Sequence, residues 1–237
     1  MKSLMIISCL LEHPTKEIWQ AKDELLTEVA TCDELSVEQK HQLMSFIQTY
    51  LSMPLLEAQS LYCETFDLGQ VTSLLIFEHV HGDSRERGQA MVELMNHYQQ
   101  AGLMLHDQKQ LPDYLPLFLE FIAQLPVDKQ PSWLHGIATV IRLLEMRLEK
   151  KESIYQSLFT LLFALSATQV DEPTLQQQVA QEEVSYTPQM LDKIWQEEQI
   201  LFQAGSSCQD NIAAKNRNYM QAPVYYIDMD EDKRSRA

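Results

Sequence analysis

The chain has 237 residues, of which 45% are hydrophobic, six are glycine and nine are proline. This length allows one sizeable core, and the low glycine and proline content favours an all-α fold over a sheet fold, which needs more turn residues. The formal net charge of −16 argues against a surface that binds nucleic acid phosphates or anionic lipid. The four cysteines form no CxxC pair, so we expect reduced thiols in a cytoplasmic protein. They are Cys9, Cys32, Cys63 and Cys208.

The first four helices are predicted from apolar periodicity and capping residues. MKSLMIISCLLEHP opens the chain, and its apolar run is too short for a bilayer span and lacks a cleavage site, so we expect a buried helix rather than a leader. Thr15 can cap a second helix to about residue 31, and Ser36 with Gln39 has capping-box spacing ahead of a third. Pro54 favours a fourth helix that ends near Phe66. The apolar stripe of the third helix is Leu43, Phe46, Ile47, Tyr50 and Leu51.

Two further helices are predicted on either side of EHVHGDSRERG, residues 78–88. Gly82 ends the first, and Asp83 with Glu86 has the spacing of a capping box that starts the second. Gly102 is the expected end of that second helix. Its apolar stripe is Met91, Leu94, Met95 and Tyr98. The histidines and charges of this stretch therefore fall at a helical corner.

The next helices follow from proline placement and apolar faces. Pro112 lies where a helix can begin, and Pro116 is early enough to be tolerated in its first turn. Residues 152–168 are apolar nearly all round, which predicts a central buried helix. The helix before it has one apolar face, formed by Trp133, Ile137, Val140, Ile141, Leu144 and Leu148.

The C-terminal part divides into a last helix and a tail. A helix is predicted near residues 188–203, and from Gly205 the sequence has no sustained period and ends in mixed charge. We therefore expect one all-α domain over residues 1–204 and a flexible tail over 205–237. The positions expected to be buried in the last helix are Met190, Leu191, Ile194 and Trp195.

His79 and His81 are the strongest candidates for a metal site, since imidazoles beside carboxylates can ligate zinc or iron. Their spacing does not place them on one helix face, which requires i and i+4 as in HExxH. A polar corner in which Asp83 and Glu86 cap backbone amides is the favoured interpretation. The chain also has no GxSxG, GxGxxG or P-loop motif, which argues against an enzyme.

The stretch LPDYLPLFLEF, residues 111–121, allows two interpretations. Two prolines around Asp113 and Tyr114 disfavour a regular helix, so the segment can form a fixed wall of a groove. Alternatively, it is only a helix start with Asp113 near the positive end of the helix dipole.

Three stretches resemble one known family. FDLGQVTSLLIFEHVHGDSRERGQAMVELMNHYQQAGL (66–103) and LPDYLPLFLEFIAQLP (111–126) closely resemble the respiratory nitrate reductase delta subunits, which are molybdenum cofactor assembly chaperones. LDKIWQEEQILF (191–202) resembles the late helix of that family, and the likeness runs from about residue 4 to 203. The resemblance implies an all-helical redox-enzyme maturation chaperone that is not an enzyme. It includes the family pattern of Pro112, Asp113 and a later Leu119-Glu120.

The resemblance also implies a client and a task. Family members bind the N-terminal peptide of the catalytic (alpha) subunit of nitrate reductase and hold the alpha-beta complex in the cytoplasm before it docks at the membrane. They assist insertion of the molybdopterin guanine dinucleotide cofactor, bind no cofactor stably themselves and are not retained in the enzyme. Cofactor biosynthesis proteins are further candidate partners, whereas nucleic acid and direct membrane insertion are not expected.

Carried onto this chain, the resemblance implies a peptide-binding groove. Relatives commonly have FDRGR where this chain has FDLGQ, so Leu68 and Gln70 replace two arginines and a role for positive charge there is not supported. The implied groove residues are Tyr62, Phe66, Glu78, His79, His81, Asp83, Arg87, Asp113, Tyr114 and Glu120.

Acidic groove residues suit an amphipathic client peptide with basic side chains, which Glu78, Asp83 and Asp113 would meet. Protonation of His79 or His81 near neutral pH would then weaken binding. Two other hypotheses stay open at this point: a metalloprotein or enzyme centred on the two histidines, and a scaffold that binds other subunits without a role in cofactor insertion.

Overall fold

The computed structural model describes residues 1–68, 70–81, 86–103 and 110–182, and the side chains of Gln70 and His81 are outside this description. Within these ranges the secondary structure is helical apart from one isolated bridge, which confirms the predicted all-α class. A π-helical turn, Cys63–Asp67, and a 3-10 turn, Gln70–Thr72, follow α5. The helices are α1 Lys2–Leu11, α2 Lys16–Gln20, α3 Lys22–Ala30, α4 Val37–Tyr50, α5 Leu55–Tyr62, α6 Ile76–His81, α7 Glu86–Gln100, α8 Leu115–Gln124, α9 Gln130–Lys150, α10 Gln156–Ser166 and α11 Glu172–Gln181.

Several predictions fall outside the described residues. These are the helix end at Gly82, the cap at Asp83, the helix near 188–203 and the tail over 205–237. The proposed division of the chain at residue 204 therefore stays a prediction.

The long helix α9 lies at the centre of the described fold. One side packs against α10, which α4 also contacts, and α1 packs against α8. On another side, Leu143 and Met146 of α9 form a separate apolar cluster with Leu175 and Val179 of α11. The central buried helix predicted over residues 152–168 corresponds to α10, which is well buried and packs against both α9 and α4.

Two predicted helix ends have the expected hydrogen bonds. At the start of α4, the Gln39 amide donates to Ser36 Oγ at 3.2 Å, and the Ser36 amide donates to Gln39 Oε1 at 2.9 Å. After α7, Gly102 has φ 82°, its amide donates to the Gln99 carbonyl at 3.0 Å, and the Leu103 amide donates to the Tyr98 carbonyl at 2.9 Å. This pair of bonds is a Schellman motif, which requires the left-handed backbone that glycine adopts at little cost.

Three local predictions were wrong. The single helix from Thr15 to residue 31 is two helices that meet at Ala21, whose amide donates to the carbonyls of both Glu17 and Ile18, so the first helix tightens and ends there. The helix predicted at Pro112 begins at Leu115. Met95, predicted to be in the core, is 40% exposed, although Leu94 and Tyr98 of the same stripe are buried.

Candidate functional site

Two segments distant in sequence pair at the base of α6. Leu75 and Tyr114 form an isolated antiparallel bridge. The Ile76 amide donates to the Asp113 carbonyl at 2.9 Å, and the Leu115 amide donates to the Leu74 carbonyl at 2.8 Å. The Tyr114 amide also donates to the Leu111 carbonyl at 3.2 Å, so residues 112 and 113 form a turn and Tyr114 is extended. These backbone groups are therefore not available to a helix, which explains why α8 starts later than predicted.

The Asp113 side chain is fully buried and caps α6 from outside that helix. Its Oδ2 accepts a hydrogen bond from the Phe77 amide at 3.1 Å, in the first turn of α6. Burial raises the pKa of the Asp113 carboxyl, and the Phe77 amide and the Arg87 charge oppose that rise. Asp113 thus fixes the position of α6, and a groove wall in which Asp113 itself touches a ligand does not fit its burial.

Arg87 and Glu78 lie over this buried carboxylate. Arg87 Nη2 is 3.4 Å from Glu78 Oε1 and 4.0 Å from Asp113 Oδ2, and the Arg87 and Glu78 side chains are partly exposed. Within the described ranges, Arg87 Nε and Asp113 Oδ1 have no hydrogen-bond partner. We call Glu78, Arg87 and Asp113 the corner cluster. It has one more negative than positive charge, and its accessible carboxylate is that of Glu78.

His79 points away from the corner cluster into a buried network. Its Nε2 lies 2.8 Å from the Ser73 carbonyl and its Nδ1 lies 2.9 Å from Arg147 Nη1. Since arginine only donates, Nδ1 is the acceptor and Nε2 carries the hydrogen, so no lone pair is left for a metal ion. Burial lowers the pKa of His79, and the Arg147 charge adds to this against the effect of the Ser73 carbonyl. The burial and the Arg147 contact of His79 therefore disfavour its protonation near neutral pH.

Two tyrosines form a second group near α8. The Tyr62 and Tyr114 hydroxyls are 3.0 Å apart, and Tyr62 also donates to the Leu11 carbonyl at 3.2 Å. Phe66 packs against the ring of Tyr62, with ring centroids 5.1 Å apart. Burial raises the pKa of Tyr114 to about 12, so its phenol stays protonated. Tyr62 and Phe66 are buried, and the half-buried Tyr114 is the accessible member of this group.

Glu12 and Glu120 accompany these tyrosines. Both carboxylates are half-buried, and burial raises the pKa of each. The Glu120 charge raises the pKa of Glu12 further, and Glu12 also acts on Tyr114. Within the described part of the chain, neither carboxylate forms a salt bridge. We call Glu12, Tyr62, Tyr114 and Glu120 the tyrosine face.

The structure thus divides the predicted site residues into two adjoining groups. Glu78, Arg87 and Asp113 are in one and Tyr62, Phe66, Tyr114 and Glu120 are in the other, joined by the consecutive Asp113 and Tyr114. His79 belongs to the Arg147 network instead. Asp83 and the side chains of His81 and Gln70 lie outside the described residues, while Leu68 is 39% exposed.

Sequence reasoning missed Glu12 and Arg147. Glu12 follows the last turn of α1 and meets Glu120 only because α1 packs on α8. Arg147 is buried although it falls among charged residues near the end of α9. Neither position has a local signal, because both depend on contacts between distant segments.

The chemistry of these groups is that of binding rather than catalysis. Half-buried carboxylates without an internal cation attract basic side chains, and protonated phenols donate hydrogen bonds. In the described ranges, no group of three or more His, Cys, Asp or Glu side chains is arranged to hold a metal ion. None of the described helices combines the length and apolarity of a bilayer span.

Comparisons with known proteins agree on one family. A model of the nitrate reductase delta subunit family matches residues 30–160. The nitrate reductase molybdenum cofactor assembly chaperone NarJ of Escherichia coli strain K12 is 44% identical over 223 residues, 94% of each chain. The probable nitrate reductase molybdenum cofactor assembly chaperone NarW of that strain is 40% identical over 202 residues, 85% of this chain and 84% of the relative. A probable NarJ of Bacillus subtilis strain 168 is 37% identical over 159 residues, 67% of this chain and 84% of the relative.

The all-helical fold and these relatives define the class of protein first: an assembly chaperone rather than an enzyme. Within that class, the chain belongs to the nitrate reductase delta subunit family, as the sequence resemblance predicted.

Proposed function

We propose that this protein is a dedicated cytoplasmic chaperone of respiratory nitrate reductase. It binds the N-terminal segment of the apo catalytic (alpha) subunit and enables insertion of the molybdopterin guanine dinucleotide cofactor before the alpha-beta complex docks at the membrane. It is then released and is not part of the final enzyme. The observation that carries the proposal is the 44% identity, over 94% of both chains, to a protein named as a molybdenum cofactor assembly chaperone. In this proposal the cofactor is cargo, and no residue of this chain is assigned to hold it.

The surface chemistry supports a basic, amphipathic client segment. Glu12 and Glu120 of the tyrosine face lack an internal cation among the described residues, and Glu78 of the corner cluster is accessible. Exposed apolar side chains occur on the same segments, since Val80 on α6 is 58% exposed and Leu111, just before the bridge, is 39% exposed. A helical peptide with basic and apolar faces matches both kinds of contact.

Asp113 has a positioning role in this proposal. Its carboxylate and carbonyl hold α6 against residues 113–115, which keeps Glu78 near Asp113 and Arg87. The client therefore meets Glu78 and Tyr114, while Asp113 acts through the helix that it caps.

Calorimetry with a synthetic peptide of the client's N-terminal segment tests the proposal. We expect one-to-one binding with a Kd on the order of 1 µM, since the chaperone must later release its client. A Glu12→Gln, Glu120→Gln double variant is expected to bind about tenfold more weakly, because two carboxylates that face the basic peptide are neutralised.

The matched control is a Glu24→Gln, Glu38→Gln double variant, which removes the same charge from exposed positions on α3 and α4. It is expected to bind like the wild type. Absence of heat with the wild type contradicts the proposed function, and an equal loss in both double variants contradicts the assignment of the surface.

A further inference from the structure

A groove separate from the predicted site residues lies between α5, its π-helical extension and the C-terminal end of α9. Its volume is about 480 Å³, within the range of ligand sites. Leu61, Val71 and Ile154 supply apolar lining, and no described residue of the corner cluster or the tyrosine face lines it.

Lys151 gives this groove an ammonium group with free hydrogen-bonding capacity. Its Nζ donates to Thr72 Oγ1 at 2.9 Å, and Thr72 in turn donates to the Thr65 carbonyl. Among the described residues, Lys151 has no other hydrogen bond and no salt bridge. Burial lowers its pKa, as expected for an ammonium that is partly removed from water without a counter-ion. Two of its three N–H groups are therefore available to a ligand.

The other two cations of the groove are already bound within the protein. Arg147 forms a salt bridge with Glu182 and donates to the Val71 carbonyl at 2.8 Å. Lys150 donates to the carbonyls of Val179 and Glu182 at 2.9 and 3.3 Å. Lys150 keeps its charge, but two of its three N–H groups are used by these carbonyls. Lys151, with one N–H group used, is therefore the cation of the groove with the most hydrogen-bonding capacity left for a ligand.

Ser153 adds a second donor. Its Oγ accepts from the Tyr155 amide at 3.4 Å, and within the described residues its own hydrogen has no acceptor. Glu64, Glu152 and Glu182 also line the groove and offset its three basic side chains, so a multiply charged anion such as phosphate is disfavoured more strongly than a single carboxylate. A single carboxylate flanked by apolar groups fits the combination of one ammonium, one hydroxyl and apolar lining.

We infer that this groove binds an acidic side chain, flanked by apolar residues, from a peptide segment of the client. The inference rests on the proposed function for its choice of a peptide. Continuity with the candidate site supports that choice, because Arg147 lines the groove and also holds His79 on α6. The inference requires a client segment that is long enough to contact both surfaces.

Methyl NMR of Ile154 and Leu61 tests this inference with the probe acetyl-Leu-Glu-Leu-amide. We expect saturable shifts of both signals, at least about fivefold weaker binding of the Gln analogue, and a similar weakening in Lys151→Met, which keeps the aliphatic stem. Lys129→Met, an exposed lysine at the start of α9, is the matched control and is expected to bind like the wild type.

Three results would each overturn the inference. The Glu and Gln probes bind equally, Lys151→Met binds the Glu probe like the wild type, or inorganic phosphate binds more tightly than the Glu probe. Butanoate that binds as tightly as the peptide overturns the choice of a peptide ligand. If the client's N-terminal peptide binds in calorimetry but the tripeptide causes no NMR shifts, only the inference about the groove is contradicted. If the tripeptide causes the shifts but the client's N-terminal peptide gives no heat of binding, only the proposed function is contradicted.

Discussion

Asp113 joins two distant segments through a carboxylate whose ionisation is opposed by burial. Its Oδ2 accepts from the Phe77 amide, while its Oδ1 has no partner among the described residues. An ionised group in this position contributes less to stability than its hydrogen bond suggests, because the charged form loses hydration. Two substitutions separate the hydrogen bond from the charge.

The pH dependence of Asp113 variants follows from its raised pKa. In the folded state the pKa lies above the ordinary value of 3.8, so between these two values the folded protein binds more protons and the contribution of Asp113 to stability falls as pH rises. Asn cannot ionise and keeps an oxygen for the Phe77 amide. We expect the free energy of unfolding of Asp113→Asn, relative to wild type, to increase from about pH 4 to pH 7 in urea titrations.

Asp113→Ala serves as the comparison because it removes the acceptor as well. It is expected to be about 1 to 2 kcal/mol less stable than Asp113→Asn at both ends of that range, since the Phe77 amide loses its cap. A relative stability of Asp113→Asn that decreases with pH contradicts the assigned burial of the carboxylate.

His79 gives the opposite pH dependence. Its folded-state pKa lies below the ordinary value of 6.5, so the unfolded chain takes up a proton first as pH falls. The contribution of neutral His79 to the free energy of unfolding is complete above pH 6.5. It is lost as the pH falls from 6.5 through the folded-state pKa. The chemical shift of the imidazole C–H of buried His79, followed by NMR, is expected to show that less than half of the ring is protonated at pH 6.5.

The His79→Gln variant assigns the signal and removes this contribution, so its stability falls less steeply below pH 6.5 than that of the wild type. A titration midpoint at or above 6.5 would restore the hypothesis of a histidine switch near neutral pH.

At the scale of elements, we expect Gly→Ala substitutions at two positions to change the stability in opposite directions. Gly102 has φ 82° in the Schellman motif after α7, whereas Gly136 lies inside α9 and has open space around its Cα. Gly102→Ala is expected to cost about 1 kcal/mol because alanine is strained in the left-handed region. Gly136→Ala is expected to stabilise by about 0.5 to 1 kcal/mol because glycine disfavours a helix interior. Thermal unfolding of both variants checks the pair, and effects of the same sign contradict the assigned backbone.

Elements with local signals were predictable from the sequence. The capping box of Ser36 and Gln39 and the stop at Gly102 depend on residues within one helical turn, and both are present. α11 was missed even though it has such signals: Pro173 in the first turn, and Leu175 and Val179 on one face. Its two apolar positions do not by themselves predict a buried face, which becomes evident only with the residues of α9 that they contact.

Features that depend on distant contacts were not predictable. Residues 112–114 resemble a helix start, but a turn at 112–113 and the pairing of Tyr114 with the segment before α6 keep them out of the helix. His79 resembles a surface residue of a polar corner, but Arg147 supplies the partner that allows its burial. The resemblance to a family selected Tyr114 and Glu120, whereas their neighbour Glu12 emerged only from the packing of α1 on α8.

At the scale of the whole molecule, a net charge of −16 favours association with basic partners, such as the proposed client segment, and opposes binding to nucleic acid. The described fold has both accessible carboxylates and exposed apolar side chains, the two kinds of contact that an amphipathic segment needs. A scaffold that only joins subunits has the same surface requirements, so peptide binding alone does not separate it from a chaperone that enables cofactor insertion.

The molybdenum content of the client separates these two functions most directly. The catalytic subunit is purified from cells that lack this protein and from cells that carry it, and molybdenum per subunit is measured. We predict that the subunit is nearly free of molybdenum without the chaperone and is loaded when the wild type is restored, with intermediate loading for the Glu12→Gln, Glu120→Gln variant. Full molybdenum loading in the absence of this protein would contradict its role in cofactor insertion.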